Sequence, residues 1–347
     1  MRRSLFLLFT FLAVGSINAY DCCGSRWDNA PTTPTACGTC GEDGGFYLDA
    51  DLLYWKLIRS DLDYAIGGTT SNPRFTDAVT HYVDRDWELG FHAELGMCDD
   101  CDGWEFSLGY THMDVKCTSS VDAPGGGNLM PTLMHAAGTG QFASAASATY
   151  TVDYDVIDLT SGRPYFISCS LLLRPFSGLR VLWMDQHMYA EYTGVDFAAN
   201  TGSSDWRADL FGYGFYGGLE TARELLDFCG GKLTTFGQIG TSVITTNTDA
   251  TYSILEGGSA QVGLKDDEKA TLICGLEAYG GVSYETCLDW CGCGGNLIIT
   301  VAGQSVKWSN TPRQRRFVDD SHEAIATSGQ GGVLGFDGFS LSARVDF

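Results

Sequence analysis

"WELGFHAELG", residues 87–96, sets Trp87, Leu89, Phe91, Ala93 and Leu95 against Glu88, Gly90, His92, Glu94 and Gly96. A strict period of two places one apolar set on one face of a β-strand and one polar or side-chain-free set on the other. A half-buried strand of a soluble sandwich would read the same way, so the surrounding chain decides which solvent meets each face.

The alternation recurs along the chain. In "GFYLDADLLYW" the set Phe46, Leu48, Ala50, Leu52 and Tyr54 opposes a face carrying Asp49 and Asp51, and in "WEFSLGYTHM" the set Trp104, Phe106, Leu108 and Tyr110 opposes Glu105, Ser107, Gly109 and Thr111. "DLFGYGFYGGLE" sets Phe211, Tyr213, Phe215 and Leu219 against glycines, Tyr216 and Glu220, and "FSLSARVDF" closes the chain with Phe339, Leu341, Ala343, Val345 and Phe347 opposite Ser340, Ser342, Arg344 and Asp346. Weaker candidates cover Tyr150–Asp158, Leu172–Met188, Lys232–Thr246, Ala270–Thr286 and Asn296–Trp308. About ten segments of roughly ten residues suit tilted strands crossing a bilayer.

The spacers are patterned too. Short connections near 97–103, 161–169, 223–231 and 287–295 alternate with long polar ones near 59–85, 116–147, 193–205, 248–266 and 309–329. Outer-membrane barrels alternate in this way, with turns in the periplasm and loops outside. Trp104 follows a short turn, and Trp55, Trp87, Trp206 and Trp308 lie where strands meet long loops, as two aromatic girdles would place them. The expected fold is therefore all-β: an antiparallel, transmembrane, up-and-down β-barrel of about ten strands, within a range of roughly 8–16.

The first residues read as an export signal. Arg2 and Arg3 precede an apolar run from Leu5 to Val14 and small residues leading to Ala19. That run is about half of the roughly 20 residues a spanning helix needs. The expected division is a signal peptide over 1–19, a cysteine-rich periplasmic segment over 20–44 and the barrel over 45–347. Loss of Arg2 and Arg3 takes the formal charge from -22 to -24, which disfavours nucleic acid as a partner.

A strand ending on an aromatic, here Phe347, resembles the terminal signal that barrels present to their insertion machinery. "GGFYLDADLLYWK", "LLLRPFSGLRVLWMDQ", the many cysteines and the final "SARVDF" resemble the pore-forming outer-membrane proteins related to the Legionella and chlamydial major outer membrane proteins. The resemblance runs from about Gly44 to Phe347. It implies a cysteine-rich, porin-like barrel in the bacterial outer membrane, in contact with lipid and lipopolysaccharide.

Thirteen cysteines in an exported chain point to disulfides. Cys98 and Cys101 fall in the first short turn, Cys169 at the second, Cys229 in the third, and Cys287, Cys291 and Cys293 in the fourth, while Cys22, Cys23, Cys37 and Cys40 precede the first strand. All eleven map to the periplasmic side, leaving Cys117 and Cys274 elsewhere. A periplasmic disulfide layer is expected, within the chain, to a second copy, or to other envelope proteins, as the resemblance also suggests. Zinc binding by "CGTC" and "CDDC" ranks behind it, because the pairs are too far apart in sequence for a zinc ribbon.

No catalytic set emerges from the six histidines, "SGLRV" is not a nucleophile elbow and "APGGGN" does not run from a strand into a helix. An enzyme, a cofactor and a metal are therefore not expected. Alternation turns Asp49, Asp51, Glu88, His92, Glu94, Glu105, Glu220 and Arg344 inward, so the expected lining is acidic and cation-preferring. The leading functional expectation is passive diffusion of small hydrophilic solutes through a barrel that also stiffens the envelope. The alternative is a barrel filled by its own side chains, serving as scaffold or adhesin; a soluble secreted β protein ranks third.

Overall fold

The alternating segments become antiparallel strands in a computed structural model, which describes residues 45–68, 78–98, 103–125, 127–134, 142–168, 170–228, 231–290, 293–314 and 331–347. In chain order the strands are β1 (Gly45–Arg59), β2 (Asp63–Gly68), β3 (Val79–Tyr82), β4 (Trp87–Cys98), β5 (Glu105–Asp122), β6 (Asn128–Pro131) and β7 (Ala145–Gly162). They continue with β8 (Tyr165–Ser168), β9 (Leu171–Thr193), β10 (Thr201–Phe228), β11 (Gly231–Glu256), β12 (Ser259–Trp290), β13 (Cys293–Thr311) and β14 (Gly332–Asp346). The expected signal peptide and the cysteine-rich segment lie outside the described residues.

Ten of these strands form a closed antiparallel ring in the order β10-β11-β12-β13-β14-β1-β4-β5-β7-β9, with β9 pairing back to β10. The first and last strands close it, for example Leu48 opposite Val345 and Leu52 opposite Leu341. Closure satisfies every ladder group without an exposed edge, which lipid requires. Both ends of the ring sequence, Gly45 and Asp346, lie at one end with the short connections; this is the turn end, and the opposite one is the loop end.

Strand length departs from expectation. Spans of roughly ten residues become 28 in β10, 26 in β11 and 32 in β12. The long loop expected near 248–266 is instead a hairpin tip at Gly257 and Gly258, whose φ angles of 56° and 81° suit the left-handed tight turns that join strands. The loop expected over 116–147 shrinks to 123–144, and that over 59–85 contains β2 and β3. With β6, those two strands form a small sheet in the order β3-β2-β6.

On β7 and β10 the extra length goes with an inversion of faces along the strand, whereas β12 there carries Leu264, Asp266 and Glu268 on its inner side. On β7, Ile157 and the half-exposed Leu159 face outward opposite inward Asp158 and Thr160; further toward the loop end, Thr149, Thr151, Asp153 and Asp155 face outward, while Tyr150, Val152, Tyr154 and Val156 are buried inside. On β10, Phe211, Tyr213 and Phe215 face outward, but beyond them Asp205, Arg207 and Asp209 do, over an inner face of Trp206, Ala208 and Leu210. Apolar-out and polar-in is the pattern of a barrel in lipid. Polar-out and apolar-in is that of a barrel in water.

The switch follows the outward aromatics Tyr110 on β5, Trp183 on β9 and Phe211 on β10, with Tyr189 a further exposed aromatic beyond it on β9. Beyond them Asp114, Asp153, Asp185, Asp209, Asp249 and Asp267 oppose one another in register across six neighbouring strands, all exposed. Like charges directly opposite are unfavourable and carboxylates in hydrocarbon more so, so this part of the wall stands in water.

The girdle expectation needs correction at three tryptophans. Trp87 and Trp104 are exposed at 40% and 41%, whereas Trp55, Trp206 and Trp308 are 4%, 2% and 0% exposed and point inward. They belong to the inner apolar face, where Trp55 Nε1 donates to Gln304 Oε1 at 3.0 Å and Trp308 Nε1 to Tyr154 OH at 3.2 Å.

The inversion can be measured on the outer surface. Phe91→Arg, in the middle of the lipid-facing row of β4, is expected to cost about 2–4 kcal/mol. Glu191→Arg, on the outer face of the projecting part of β9, should stay within about 0.5 kcal/mol. Denaturant unfolding of the barrel from lipid vesicles compares the two; equal costs would contradict the placement of the boundary.

Candidate functional site in the barrel lumen

Inward side chains divide the lumen into two levels. Toward the loop end one continuous buried cluster takes residues from nine of the ten ring strands, among them Leu53, Met113, Leu182, Ile244, Ile273 and Phe336. Tyr154 on β7 and Trp308 on β13 stand five places apart in the ring of ten, so their 3.2 Å hydrogen bond crosses the full bore. Tyr154 also packs on Phe336 of β14, with ring centroids 5.1 Å apart. Ten strands are near the size at which side chains fill a barrel, and here they meet in the middle.

The small sheet sits on this cluster. Tyr192 OH donates to the Tyr64 carbonyl at 2.8 Å and Tyr252 OH to the Leu133 carbonyl at 2.6 Å, anchoring β2 and the segment after β6 to the wall. Arg59, 4% exposed, ends β1 and gathers several elements: it donates to Tyr150 OH at 2.6 Å, to Gln186 Oε1, to Asp61 Oδ1 at 2.7 Å and to the Pro312 carbonyl at 3.1 Å. Burial would raise the Asp61 carboxyl, but the guanidinium beside it prevails and holds it below the usual carboxylate range. A depressed folded value means that this contribution is full at neutral pH and is lost as pH falls through it.

Toward the turn end the inner face turns polar around a cavity of about 350 Å³. It reaches down to Ala222, Thr234, Ser283 and Ile298, near the ends of their strands. Three arginines hold its walls together. Arg180, 3% exposed, pairs with Asp158 at 2.6 Å and with Glu277, and lies 3.7 Å over the Tyr216 ring. Arg174 bridges Glu105 at 2.5 Å and Glu220 at 2.6 Å, and Arg344 pairs with Asp346 at 2.7 Å over the Tyr47 ring. Arg180 and Arg174 each pair with a directly opposite neighbour, Asp158 and Glu220, and reach a strand that does not adjoin their own through Glu277 and Glu105, while Arg344 pairs with the end of its own strand.

Of the residues expected to line a pore, Asp49, Asp51, His92, Glu94, Glu220 and Arg344 border this cavity. Glu105 sits between Arg174 and Arg344, 8% exposed. Glu88 shares the inward face of β4 but lies nearer the loop end, opposite Trp55 in register and away from the cavity. The expected acidic lining is therefore split: Glu105 and Glu220 are held by arginine, while Asp49, Asp51 and Glu94 are not. Asp49 accepts from Ser342 Oγ at 2.8 Å and Glu94 from Tyr47 OH at 2.7 Å.

Arg174, Arg180, Asp158 and Glu277 were not singled out in the sequence. Their signal was present in "LLLRPFSGLRVLWMDQ", where even-numbered residues from Leu172 to Gln186 form one inward row that includes both arginines.

Among the expected disulfide partners, Cys98 ends β4 rather than sitting in a turn, Cys287 is a backbone position within β12 and Cys293 opens β13, all at the turn end. Cys22, Cys23, Cys37, Cys40, Cys101, Cys169, Cys229 and Cys291 lie outside the described residues. Cys117 is a buried thiol and Cys274 an exposed one. Phe347 follows β14 with its amide donating to the Phe46 carbonyl at 2.9 Å.

Arg180→Met leaves two carboxylates facing each other in a confined space and is expected to cost about 3–5 kcal/mol in unfolding experiments. Adding Asp158→Asn and Glu277→Gln should recover most of that loss. No recovery would mean that Arg180 contributes by packing on Tyr216 and not by charge.

Among solved structures, the chain is similar to the outer membrane protease OmpT of Escherichia coli, at 10% identity over 87% of this chain and 96% of that one, with a TM-score of 0.42. It is similar also to the toluene transporter TodX of P. putida, at 10% identity over 88% of this chain and 89% of that one, with a TM-score of 0.32. No curated protein matches the sequence. Residues 39–311 match the model of a family described as the Legionella pneumophila major outer membrane protein precursor. That match covers most of the chain, and the closed ring of alternating strands agrees with it: the chain belongs to this family and is an outer-membrane β-barrel.

Proposed function

We propose that this protein is a structural barrel of the outer membrane, sealed by its own side chains, that carries its loop end at the cell surface and has no catalytic role. The observation that carries the reading is the Tyr154–Trp308 contact across the bore, embedded in a buried cluster that nine of the ten ring strands share. Passive diffusion needs a continuous water path, and a shared buried cluster at that level supports the reading that the bore is filled there.

The turn end, with the polar cavity and the segregated cysteines, then faces the periplasm, where disulfides to a second copy or to other envelope proteins would stiffen the wall. The barrel insertion machinery and lipopolysaccharide are the partners this reading implies. The open, cation-preferring pore suggested by the acidic alternation remains the competing reading, supported by Asp49, Asp51 and Glu94 around the cavity.

Planar-bilayer recording of the refolded mature chain separates the two. The sealed barrel should insert without discrete conductance steps, and Trp308→Ala combined with Tyr154→Ala should introduce them by clearing the bore. Steady steps from the unaltered chain would overturn the proposal in favour of the pore. The same preparation run on a non-reducing gel tests the stiffening: cross-linked species that collapse on adding reductant are expected, and their absence from native envelopes would remove that part.

A further inference from the structure

Where the outer surface leaves lipid toward the loop end, its charge differs from one side of the barrel to the other. On β1 the outward positions Phe46, Leu48, Ala50, Leu52 and Tyr54 are apolar and Lys56 follows them. On β14 the outward Leu341 and Phe339 lead to Asp337, and on β13 Val301 and Gly303 lead to Ser305 and Lys307. Lys56 stands opposite Asp337 and Asp337 opposite Ser305, so the three form the first polar row of this short side. On the projecting side the corresponding row is the six opposed aspartates from Asp114 on β5 to Asp267 on β12.

Basic groups are placed differently on the two sides. On the projecting wall Lys116, Arg207 and Lys265 lie one outward position further from lipid than the aspartates, and Lys269 is paired with Asp267 at 3.3 Å. An anion held at the lipid surface would meet six carboxylates there first. On the short side Lys56 is half-buried and enters no ion pair among the described residues, while Asp337 beside it accepts from Ser305 Oγ at 2.6 Å. Lys307 stands opposite Gly335, and a Cβ at Gly335 would come within 3.0 Å of the Lys307 Cγ. The lysine stem therefore leans over β14 toward β1, across a position that has no side chain to separate it from the Lys56 side.

Aromatic rings lie next to these lysines on the lipid side. Tyr54 stacks on Trp87 with centroids 4.9 Å apart and planes 20° apart, and Trp87 on Phe339 at 6.1 Å and 15°. The three come from β1, β4 and β14 and are 46%, 40% and 59% exposed, so the stack presents one outward surface. Rings at this level sit between hydrocarbon and headgroups, and a lysine beside them extends its stem over apolar surface to put its ammonium at headgroup height. Phosphate is the anion a lysine point charge suits there. A free phosphate would use the ammonium groups and leave the stack idle. A molecule with a phosphorylated head and hydrocarbon chains uses both.

We propose that the outer face of β13, β14, β1 and β4 docks the phosphorylated headgroup of an outer-leaflet lipid. Lys56 and Lys307 hold the phosphate, and the Tyr54–Trp87–Phe339 stack takes the first carbons of the acyl chains. The acidic row turns the same headgroup away from the other side, so the barrel carries its bound lipid on one flank. The choice of leaflet rests on the reading that the loop end faces the cell surface; the binding itself does not.

Titration of the refolded mature chain in uncharged detergent micelles with fluorescently labelled bisphosphorylated lipid A tests this. Micelles have no sidedness, so the outcome is independent of orientation and of the conductance experiment. Saturable binding is expected, weakened about fivefold, or about 1 kcal/mol, by Lys56→Gln and by Lys307→Gln. Lys56→Arg, which keeps the charge, should bind as the unaltered chain does, and Trp87→Leu should bind more weakly. Lys265→Gln, on the projecting wall, should leave the affinity unchanged, and a heat-dependent gel shift verifies that each variant is folded. Four results would each overturn the proposal: no saturable binding, equal affinity for dephosphorylated lipid A, equal weakening by Lys265→Gln, or displacement of the lipid by inorganic phosphate at equal concentration. The last would reduce the site to one for free anions.

Discussion

A strand that runs from lipid into water has to exchange its apolar face for its polar one, and the rest of this barrel follows from that exchange. Within the bilayer, Leu159 and Phe211 meet hydrocarbon while the lumen takes the charge. Past the boundary Asp155 and Asp209 meet water, and the apolar residues have nowhere to go but inward. Ten strands enclose a bore that two large side chains can span, so an inward apolar face packs as a core instead of lining a channel. The inward apolar core is a consequence of the barrel being longer than the membrane is thick.

The same division explains where charge is tolerated inside. Arg180 and Arg174 lie at the lipid-embedded level, where the outer face already supplies the apolar surface and the inner face is free to be polar. Each guanidinium there has two carboxylates within reach. Isolated ions in that setting would be expensive, whereas paired ones tie the cross-section together, Arg180–Glu277 and Arg174–Glu105 joining strands that share no ladder. Arg59 acts at the other level. It is surrounded by Tyr150, Trp206 and Gln186, and its partners Asp61 and the Pro312 carbonyl come from loops, so it ties connections to the core as well as β1 to β7 and β9.

What could be read from sequence tracks this inversion closely. β1, β4 and β14 keep one apolar face through nearly their whole length, and their alternation was plain. β7 and β11 change faces midway, so a single period-two pattern fails across Asp155 to Asp158 and the segment reads as weak, although each half alternates well. The tip at Gly257 and Gly258 was hidden for the same reason: "DATYSILE" and "QVGLKDDEK" carry polar residues outward and look like a loop if one expects apolar ones there. Trp206 and Trp308 were placed at the right height and on the wrong face. Inward carboxylates were found because alternation alone determines them. The arginines that neutralise some were missed, because pairing such as Arg180 with Glu277 joins strands whose closeness depends on ring order.

The two levels also differ in what substitution can change. In the loop-end core a side chain is held by neighbours on several strands, and Tyr154, Trp308 and Phe336 form one packed unit whose members cannot be altered independently. In the polar half, partners are fewer and more directional, and Asp49, Asp51 and Glu94 can change charge with little steric effect. Changes of charge can therefore be accommodated at the turn end while the loop-end core stays intact. The barrel thus separates a conserved-volume problem, filling a bore of fixed width, from a charge problem that each inward polar position can solve separately.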